Sequence, residues 1–315
     1  MEIVFLFPGQ GAQSKGMLDA FVRSDESPVV QTLEEASDAL GYDMAALVHE
    51  DAEDKLNRTE YTQPALLAAS IAICRLWRHQ GGVEPSHVAG HSLGEYSALV
   101  AAGSLDFTTA VQLVAFRGKE MAEAVPAGEG RMAAILGLDD EAISNLCGQA
   151  STEQEKAWPA NFNCPGQLVI AGHAAAVDRA MEAATKAGAK RALPLAVSAP
   201  SHTPLMQPAA DAIKEKLKDV DLKAPACPVW SNAEAAPLES EDKIREALVR
   251  QLVTPVRWTE IIQRMRHMGV SHGVEMGPGK VLTGLVKRIE RDFLACPTFS
   301  PEQMKKSLEQ MHPGG

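Results

Sequence analysis

Long hydrophobic runs are missing from this 315-residue sequence. A membrane-spanning helix needs about 18 or more consecutive apolar residues, and charged residues interrupt every apolar stretch before that length. The N-terminal segment Met1–Phe7 carries an acidic residue and only a short apolar run, which predicts a β-strand rather than a signal peptide. We therefore expect a protein that neither spans nor binds a membrane.

The sequence also lacks paired cysteines and an excess of positive charge. Its cysteines are odd in number and none belongs to a C-x-x-C pair, which predicts reduced thiols in a cytoplasmic protein and no metal site. The formal net charge of -11 argues against a nucleic-acid-binding protein, because phosphate binding needs a basic surface. The five cysteines are Cys74, Cys147, Cys164, Cys227 and Cys296.

The overall composition is that of a folded globular protein. Hydrophobic residues make up 45% of the chain and charged residues 23%, which is typical of a soluble enzyme. The length allows one large domain or two unequal domains.

The pattern Gly90-x-Ser92-x-Gly94 is the most informative part of the sequence. It is typical of a nucleophile elbow, a sharp strand-to-helix turn in which glycines relieve backbone crowding around an exposed serine. The flanking residues predict a strand ending at Gly90 and a helix over 92–102, whose positive end would favour an oxyanion beside the hydroxyl. A glycine–serine turn that matches by chance is the alternative.

The N-terminal part predicts a buried sheet with a ligand-binding edge. Ile3–Phe7 is apolar without alternation, as in a strand buried on both faces. The loop Pro8–Gln13 follows the carboxyl end of that strand, where open α/β sheets bind ligands, although an ordinary glycine-rich connection is the alternative. Helices are predicted over 27–40, 51–57 and 62–77, with Pro64 in the first turn of the last one.

A change of pattern at residue 128 predicts a second, smaller unit. From there to residue 197 the predicted elements follow the order β-α-β-β-α-β, which is the ferredoxin-like arrangement. We therefore predict an α/β fold in which a large α/β-hydrolase-like domain with a parallel sheet, residues 1–127 and 198–315, carries an inserted ferredoxin-like subdomain, residues 128–197. A cleft should separate the two, and the tail after Ala295 is predicted to be peripheral.

A nucleophilic serine needs a base within hydrogen-bonding reach. Of the nine histidines, His202 is the best candidate, since it follows the elbow in the chain and lies on a tight loop between prolines. His91 precedes Ser92 and is expected to stabilise the turn rather than act as the base. Arg117 lies among small and apolar residues, so it either extends to the surface or is buried facing an anion.

Several short motifs occur together in one order. They are Phe7-Pro-Gly-Gln-Gly-Ala-Gln13, Thr62-Gln-Pro-Ala-Leu66, Gly90-His-Ser-Leu-Gly-Glu95, Asn161-Phe-Asn-Cys-Pro-Gly-Gln167, Pro200-Ser-His202, Arg250-Gln-Leu252 and Glu275-Met-Gly-Pro-Gly-Lys-Val-Leu282. With this set, the chain resembles malonyl-CoA:acyl carrier protein transacylases from Ile3 to about Arg291. Each motif alone is weak, but the set in this order is specific.

The resemblance implies an acyl transfer in two halves, with malonyl-CoA and an acyl carrier protein as partners and no cofactor. Ser92 would attack the malonyl thioester while His202 takes its proton, and the backbone N–H groups of Gln10 and Leu93 would form the oxyanion hole. Arg117 would hold the malonyl carboxylate in a two-bond fork. A main-chain carbonyl at Gln251 would orient the histidine.

The resemblance also implies the supporting residues. Gln63, His91 and Asn161 would belong to the substrate-binding group, and Ser201 fits enzymes that accept malonyl groups without an α-branch. The protein is expected to be a monomer. Because carriers of this family are acidic, docking would rely on a local basic patch, with the candidates Lys186, Lys190, Arg191, Lys280, Lys287 and Arg288.

Three other interpretations stay open at the level of sequence. A serine hydrolase on the same elbow would need an acidic residue that orients His202 and no buried arginine facing the serine. A cysteine–histidine hydrolase built on Cys164 is disfavoured because its loop has no elbow. A non-catalytic binding module would leave Ser92, His202 and Arg117 apart in space.

Overall fold

The computed structural model describes residues 2–22, 27–197 and 199–312. Met1, Ser198 and Gly315, which bound the predicted domains, lie outside these residues.

The described residues form strands and helices that alternate along most of the chain. The strands are β1 Ile3–Phe7, β2 His87–Gly90, β3 Gly130–Leu136, β4 Ala157–Cys164, β5 Gln167–His173, β6 Arg191–Pro194, β7 Val229–Trp230, β8 Pro237–Leu238, β9 His272–Glu275 and β10 Leu294–Pro297. The α-helices are α1 Pro28–Leu40, α2 Met44–His49, α3 Thr59–His79, α4 Gly94–Ala101, α5 Phe107–Glu123, α6 Asp140–Ala150, α7 Ala174–Lys186, α8 Gln207–Lys216, α9 Glu241–Val253, α10 Trp258–His267, α11 Val281–Ile289 and α12 Pro301–Met311.

The larger sheet has the strand order β10-β9-β1-β2-β7-β8. Neighbouring strands run parallel except at β8, which pairs with β7 in the antiparallel direction. Phe7 pairs with Gly90, so β1 and β2 end side by side. The loop after β1 and the turn after β2 therefore leave the sheet together at its carboxyl edge, where ligands bind in open α/β sheets.

Strand β1 is buried on both faces, as its continuous apolar run predicts. Phe5 and Phe7 join the core cluster that contains the buried helix α3, whereas Val4 and Leu6 join a second cluster on the other face, with residues of α10 and α11. Alternate side chains of β1 thus pack against helices on both faces of the sheet. This packing holds the carboxyl end of β1 in place.

The smaller sheet is antiparallel and has the strand order β4-β5-β3-β6. Its elements follow the predicted chain order, β3-α6-β4-β5-α7-β6. One face packs on α6 and α7 through a cluster that includes Ile135, Ile170 and Val177. Strand β4 also contacts the larger unit, because the N–H of Phe162 donates to the Val256 carbonyl oxygen at 2.9 Å.

Several helices begin where the sequence predicts, because a side chain caps the first turn of each. Ser27, Asp106 and Asp139 accept hydrogen bonds from backbone N–H groups in the first turns of α1, α5 and α6. The helix predicted over residues 51–57 is wrong. Asp51 has a φ of +43° and its carboxylate accepts from two later N–H groups, which makes a turn, and helix α2 ends before it.

Two further expectations need correction. Pro64 lies inside α3 and not in its first turn, because the helix begins three residues before the predicted start, at Thr59. The tail after Ala295 is not peripheral. Strand β10 extends the large sheet beside β9, Met304 and Met311 of α12 are buried in the core, and the Thr298 hydroxyl donates to the Glu275 carbonyl oxygen at 2.6 Å.

Two composition-based expectations concern the cysteines and the membrane. All of the cysteines are free thiols, and burial raises the pKa of each of them. Within residues 2–22, 27–197 and 199–312, no helix has the length and apolarity that crossing a membrane requires.

Candidate active site

The turn between β2 and α4 has no room for side chains at its two glycines. A Cβ atom on Gly90 would lie 1.8 Å from the Gly94 carbonyl carbon, and one on Gly94 would lie 2.1 Å from the Phe7 carbonyl oxygen. Ser92, at the tip, has a φ of +52°, a conformation that costs a non-glycine residue about 1–3 kcal/mol. The turn is therefore a strained strand-to-helix elbow, as the sequence pattern predicts.

Hydrogen bonds from distant parts of the chain hold this strained turn. The N–H of Ser92 donates to the side-chain oxygen of Asn232 at 2.6 Å, and the Asn232 amide donates to the Gly90 carbonyl at 2.6 Å. The Gln251 amide donates to the Ser92 carbonyl at 2.9 Å. Asn232 is a site residue that the sequence does not predict, because the elbow residues that it contacts lie 137 positions away or more and no local motif indicates the contact.

His202 lies against the serine, as the sequence predicts. Its Nε2 is 2.8 Å from the Ser92 Oγ, and its Nδ1 is 2.8 Å from the Gln251 carbonyl oxygen. A carbonyl oxygen can only accept, so Nδ1 carries the ring proton and Nε2 is left to accept the serine proton. His202 also has a positive φ, +64°, so serine and histidine are both held in left-handed backbone conformations.

Burial keeps this histidine neutral. Desolvation lowers the pKa of His202 to about 3, with smaller contributions in the same direction from Arg117 and His91, while the bond to Gln251 opposes the shift. The imidazole is therefore unprotonated at neutral pH, which is the state that can accept a proton.

Arg117 is buried, so its side chain does not extend to the surface, which was one of the two possibilities from the sequence. Gly118 lets α5 approach α3 closely, since a Cβ there would lie 2.6 Å from the Thr59 carbonyl oxygen. The guanidinium donates to the side-chain oxygens of Gln63, at 2.7 Å, and Gln251, at 2.9 Å, and lies 5.4 Å from the Tyr96 ring centroid.

The charge of Arg117 has no counter-ion in contact. Among the described residues, no carboxylate lies within 4.0 Å of its nitrogens, and its Nε has no hydrogen-bond partner. Desolvation lowers the pKa of the guanidinium, although arginine remains charged in proteins. A buried cation whose direct contacts are neutral amides and an aromatic ring can bind an anion.

Glu95 lies at the centre of the same network and is fully buried. Its Oε2 accepts hydrogen bonds from the Gln251 amide at 2.8 Å and from the Asn232 N–H at 3.0 Å. Desolvation raises the pKa of this carboxyl to about 7, against the lowering effect of these donors and of Arg117.

The two backbone N–H groups that are predicted to bind an oxyanion belong to Gln10 and Leu93. Within the part of the chain that the structure describes, the backbone N–H groups of Gln10 and Leu93 have no acceptor. The loop that carries Gln10 packs tightly on the elbow, because a Cβ on Gly9 would lie 2.4 Å from the His91 carbonyl oxygen. Leu93 directly precedes helix α4.

The remaining predicted residues occupy different positions. Gln63 contacts Arg117 directly, whereas His91 bonds through Nε2 to the Asn163 side-chain oxygen at 2.8 Å. Asn161 is buried, its backbone forms a bridge with Val256, and within the described chain its side chain has no hydrogen bond to the serine or the histidine. The role of Asn161 in substrate binding stays a prediction.

Cys164 does not form a cysteine–histidine pair within the described chain. Its thiol is buried among apolar side chains and donates to the Gln167 side-chain oxygen at 4.0 Å, and desolvation raises its pKa. A protonated, enclosed thiol is a poor nucleophile.

The fold and the serine–histidine elbow agree with an independent comparison of sequences. The chain belongs to the acyl transferase family, whose domain model matches residues 4–309. Among the members of that family it groups with the malonyl CoA-acyl carrier protein transacylases. It is 52% identical over 309 residues to the enzyme of that name from Escherichia coli (strain K12), covering 98% of this chain and 99% of the relative.

Solved structures agree over the whole fold. The malonyl CoA-acyl carrier protein transacylase of Coxiella burnetii superimposes with a TM-score of 0.96 at 44% identity, covering 99% of this chain and 98% of that one. A malonyl-transacylase in complex with a type II PKS acyl-carrier protein gives a TM-score of 0.95 at 50% identity, covering 98% and 100%. Nearly full coverage in both directions shows that the two units occur together in these relatives.

Proposed function

We propose that this chain is an [acyl-carrier-protein] S-malonyltransferase, which moves a malonyl group from malonyl-CoA to the phosphopantetheine thiol of an acyl carrier protein for fatty acid or polyketide synthesis. The observation that carries the proposal is the buried guanidinium of Arg117, which donates to Gln251, the residue whose main-chain carbonyl also contacts His202 of the Ser92–His202 pair. Malonyl is an acyl group that ends in a carboxylate. The serine–histidine pair can accept the acyl group, and the arginine can bind the carboxylate.

The first half-reaction would acylate the serine. The Ser92 oxygen attacks the thioester carbonyl while its proton moves to Nε2 of His202. The N–H groups of Gln10 and Leu93, together with the N-terminal end of α4, would stabilise the oxyanion. As the carbon–sulfur bond breaks, the proton passes from Nε2 to the departing CoA sulfur, which leaves malonyl-serine.

The second half-reaction would reverse these roles. The carrier's thiol gives its proton to Nε2 of His202 and attacks the malonyl-serine ester, and the proton then returns to the Ser92 oxygen as the ester bond breaks. In both halves Gln251 would orient the imidazole through its main-chain carbonyl. Because CoA leaves the malonyl-enzyme before the carrier reacts, the kinetics should be ping-pong.

Arg117 would select the substrate. Its guanidinium can donate two parallel hydrogen bonds to the malonyl carboxylate, with Gln63 and Gln251 fixing its plane. An apolar pocket would reject this carboxylate because desolvation of a charge is costly. His91, which bonds to Asn163 of β4, and Asn161 on the same strand would also belong to the substrate-binding residues.

A serine hydrolase is less well supported. That alternative needs an acidic residue on Nδ1 of His202, where a main-chain carbonyl lies 2.8 Å away, and it gives no reason for a buried arginine. A binding module without catalysis would not require the serine and histidine to be 2.8 Å apart in strained conformations.

The finer description of the architecture belongs to the same proposal. The antiparallel order β4-β5-β3-β6 supports a ferredoxin-like subdomain of residues 128–197, and the elbow on a mostly parallel sheet supports an α/β-hydrolase-like domain of residues 1–127 and 198–315. We propose a cytoplasmic monomer that binds neither nucleic acid nor membrane, in line with free thiols and a net charge of -11.

The test is the intact mass of the protein after incubation with malonyl-CoA alone. We expect a malonyl adduct that persists until carrier protein is added, and Ser92→Ala should form none. Ser97→Ala is the matched control, since Ser97 lies on α4 five residues after Ser92, is buried, and has no hydrogen-bond partner for its hydroxyl among the described residues. Rapid loss of the adduct in water would identify a hydrolase instead.

A further inference from the structure

Glu95 is a buried carboxyl group that the transfer steps do not use. We propose that Glu95 is a positioning residue: its carboxylate fixes the side-chain amide of Gln251 and, through that amide, the guanidinium of Arg117. This proposal rests on the proposed malonyl transfer, because its consequence is substrate selection. Gln251 would thus serve two functions, with its main chain orienting His202 and its side chain orienting Arg117.

The argument starts from the two different ends of an amide. The Gln251 nitrogen donates to two oxygens, the Glu95 carboxylate at 2.8 Å and the Ser92 carbonyl at 2.9 Å. The amide oxygen therefore faces the donor of Arg117, at 2.9 Å. Turning the amide by half a rotation would place N–H groups against the guanidinium and an oxygen against two other oxygens, so only one orientation satisfies every partner.

The charge on Glu95 determines how firmly this orientation is held. A hydrogen bond to an ionised acceptor is about twice as strong as one to a neutral acceptor. The other carboxyl oxygen, Oε1, is buried and has no partner among the residues that the structure describes. A proton can therefore bind Oε1 without displacing the donors from Oε2, which removes the charge and weakens the anchor of Gln251 while the packing stays the same.

Charges from several elements act on Glu95. Arg117 on α5 favours its ionised form, whereas Glu234, in the loop after β7, favours the protonated form, and both effects are smaller than desolvation. Tyr96, the next residue on α4, is neutral because burial raises its pKa to about 12, and His202 is neutral because burial lowers its pKa to about 3. Of Glu95, Tyr96 and His202, Glu95 is the group that changes charge near neutral pH, with a pKa of about 7.

The sign follows from the direction of this shift. Above pH 7 Glu95 is ionised and Gln251 is held, so Arg117 is in place for a substrate carboxylate. Below that pH Glu95 is protonated, the anchor is weaker and the guanidinium is less well placed. Preference for malonyl over acetyl should therefore increase as the pH rises through about 7.

The experiment measures kcat/KM for acylation by malonyl-CoA and by acetyl-CoA across this pH range. Both substrates use Ser92 and His202, so the titration of that pair cancels in the ratio of the two values. In the wild type we expect the ratio to rise about three- to tenfold between about pH 6 and about pH 8. In Glu95→Gln, which keeps the shape and removes the charge, the ratio should stay near its low-pH value throughout.

Glu234→Gln is the matched control. It removes a carboxylate that acts on Glu95 only through space and that bonds to Arg250 at 2.6 Å, so the rise with pH should remain. A wild-type ratio that is flat or that falls with pH overturns the proposal, and so does a Glu95→Gln variant with the wild-type rise. Should Glu95→Gln fail to fold, the wild-type profile alone decides. Failure to form malonyl-enzyme at any pH would instead contradict the proposed function.

Discussion

Polar residues occur in two contrasting settings in this protein. At the elbow, Ser92 and Glu95 lie in a network of hydrogen bonds that joins several distant parts of the chain. By contrast, Lys190, Arg191 and Arg288, here called the basic cluster, are exposed and line a cavity of about 500 Å³. The first region is fixed by contacts within the protein, and the second is open to a partner.

This difference determines how each region should respond to change. A buried polar group left without its partner costs about 1–3 kcal/mol, more if it is charged. An exposed ion pair contributes about 0–1 kcal/mol and is screened by salt. Substitutions at the elbow should therefore damage folding or chemistry strongly, whereas substitutions in the basic cluster should change only association with a charged partner.

The largest effect is expected at Gly90. In Gly90→Ala the new methyl group would meet backbone atoms of the next turn at 1.8 Å, which a side-chain adjustment cannot relieve. We expect the free energy of unfolding to fall by at least about 3 kcal/mol, measured by urea denaturation, with loss of acylation. Gly284→Ala on α11 is the control, because nothing lies within 4 Å of its new methyl and helix propensity should raise stability by about 0.5–1 kcal/mol. Equal effects at both glycines would remove the claim that the elbow is sterically closed.

Local chemistry explains which elements the sequence could predict. The elbow, the strand at Ile3–Phe7 and the capped helices follow from residues that are close together in the chain. Asn232 and Asn163 were missed because each reaches the elbow through tertiary packing, across 140 and 72 positions respectively. The residues next to each asparagine in the sequence do not indicate what its amide binds, and only the folded chain shows these partners.

The wrong predictions have a similar physical cause. Residues 51–57 have helical composition, but the Asp51 carboxylate binds the N–H groups that a helix would use otherwise, and this favours a turn. Strand β10 is short and follows a charged segment, so its apolar content alone did not indicate a strand. Its pairing with β9 supplies the missing stabilisation.

The second prediction concerns Arg117. Its charge is buried, as the polar groups at the elbow are, but its proposed role is to bind a substrate. Removing one member of a buried hydrogen-bonded charge pair costs about 2–5 kcal/mol. Since about 1.4 kcal/mol corresponds to tenfold, Arg117→Ala should lower kcat/KM for malonyl-CoA by at least roughly 30-fold. Acetyl-CoA has no such carboxylate, so its slow reaction should be unchanged or faster.

Two further variants sharpen this measurement. Arg117→Lys should recover only part of the malonyl rate, because an ammonium group cannot form the two-bond fork. Arg75→Ala is the matched control, as Arg75 also lies over an aromatic ring, 4.7 Å from that of Phe107, but pairs with Glu35 at 2.6 Å. Equal losses with malonyl-CoA and acetyl-CoA in Arg117→Ala would mean that the arginine supports the fold and does not recognise the substrate.

The smallest effect is expected at the predicted docking patch, which includes the basic cluster. All of its candidates are exposed, and Arg288 also donates to the Gln167 side chain at 2.6 Å. An acidic carrier would approach a protein of net charge -11 against overall repulsion, so local positive charge has to guide it. Reversing two charges, as in Lys190→Glu with Arg191→Glu, should raise the KM for carrier protein several-fold and leave the KM for malonyl-CoA nearly unchanged.

The salt dependence and a second double variant complete the test of the patch. Exposed charges are screened over about 10 Å at 0.1 M salt, so the difference between wild type and variant should shrink as salt is added. Lys214→Glu with Lys216→Glu reverses two exposed charges on α8, outside the basic cluster, and changes the net charge equally. If both double variants raise the carrier KM by the same factor, net charge and not the patch governs docking. If the cluster variant alone raises it, the exposed region recognises the carrier while the buried region performs the transfer.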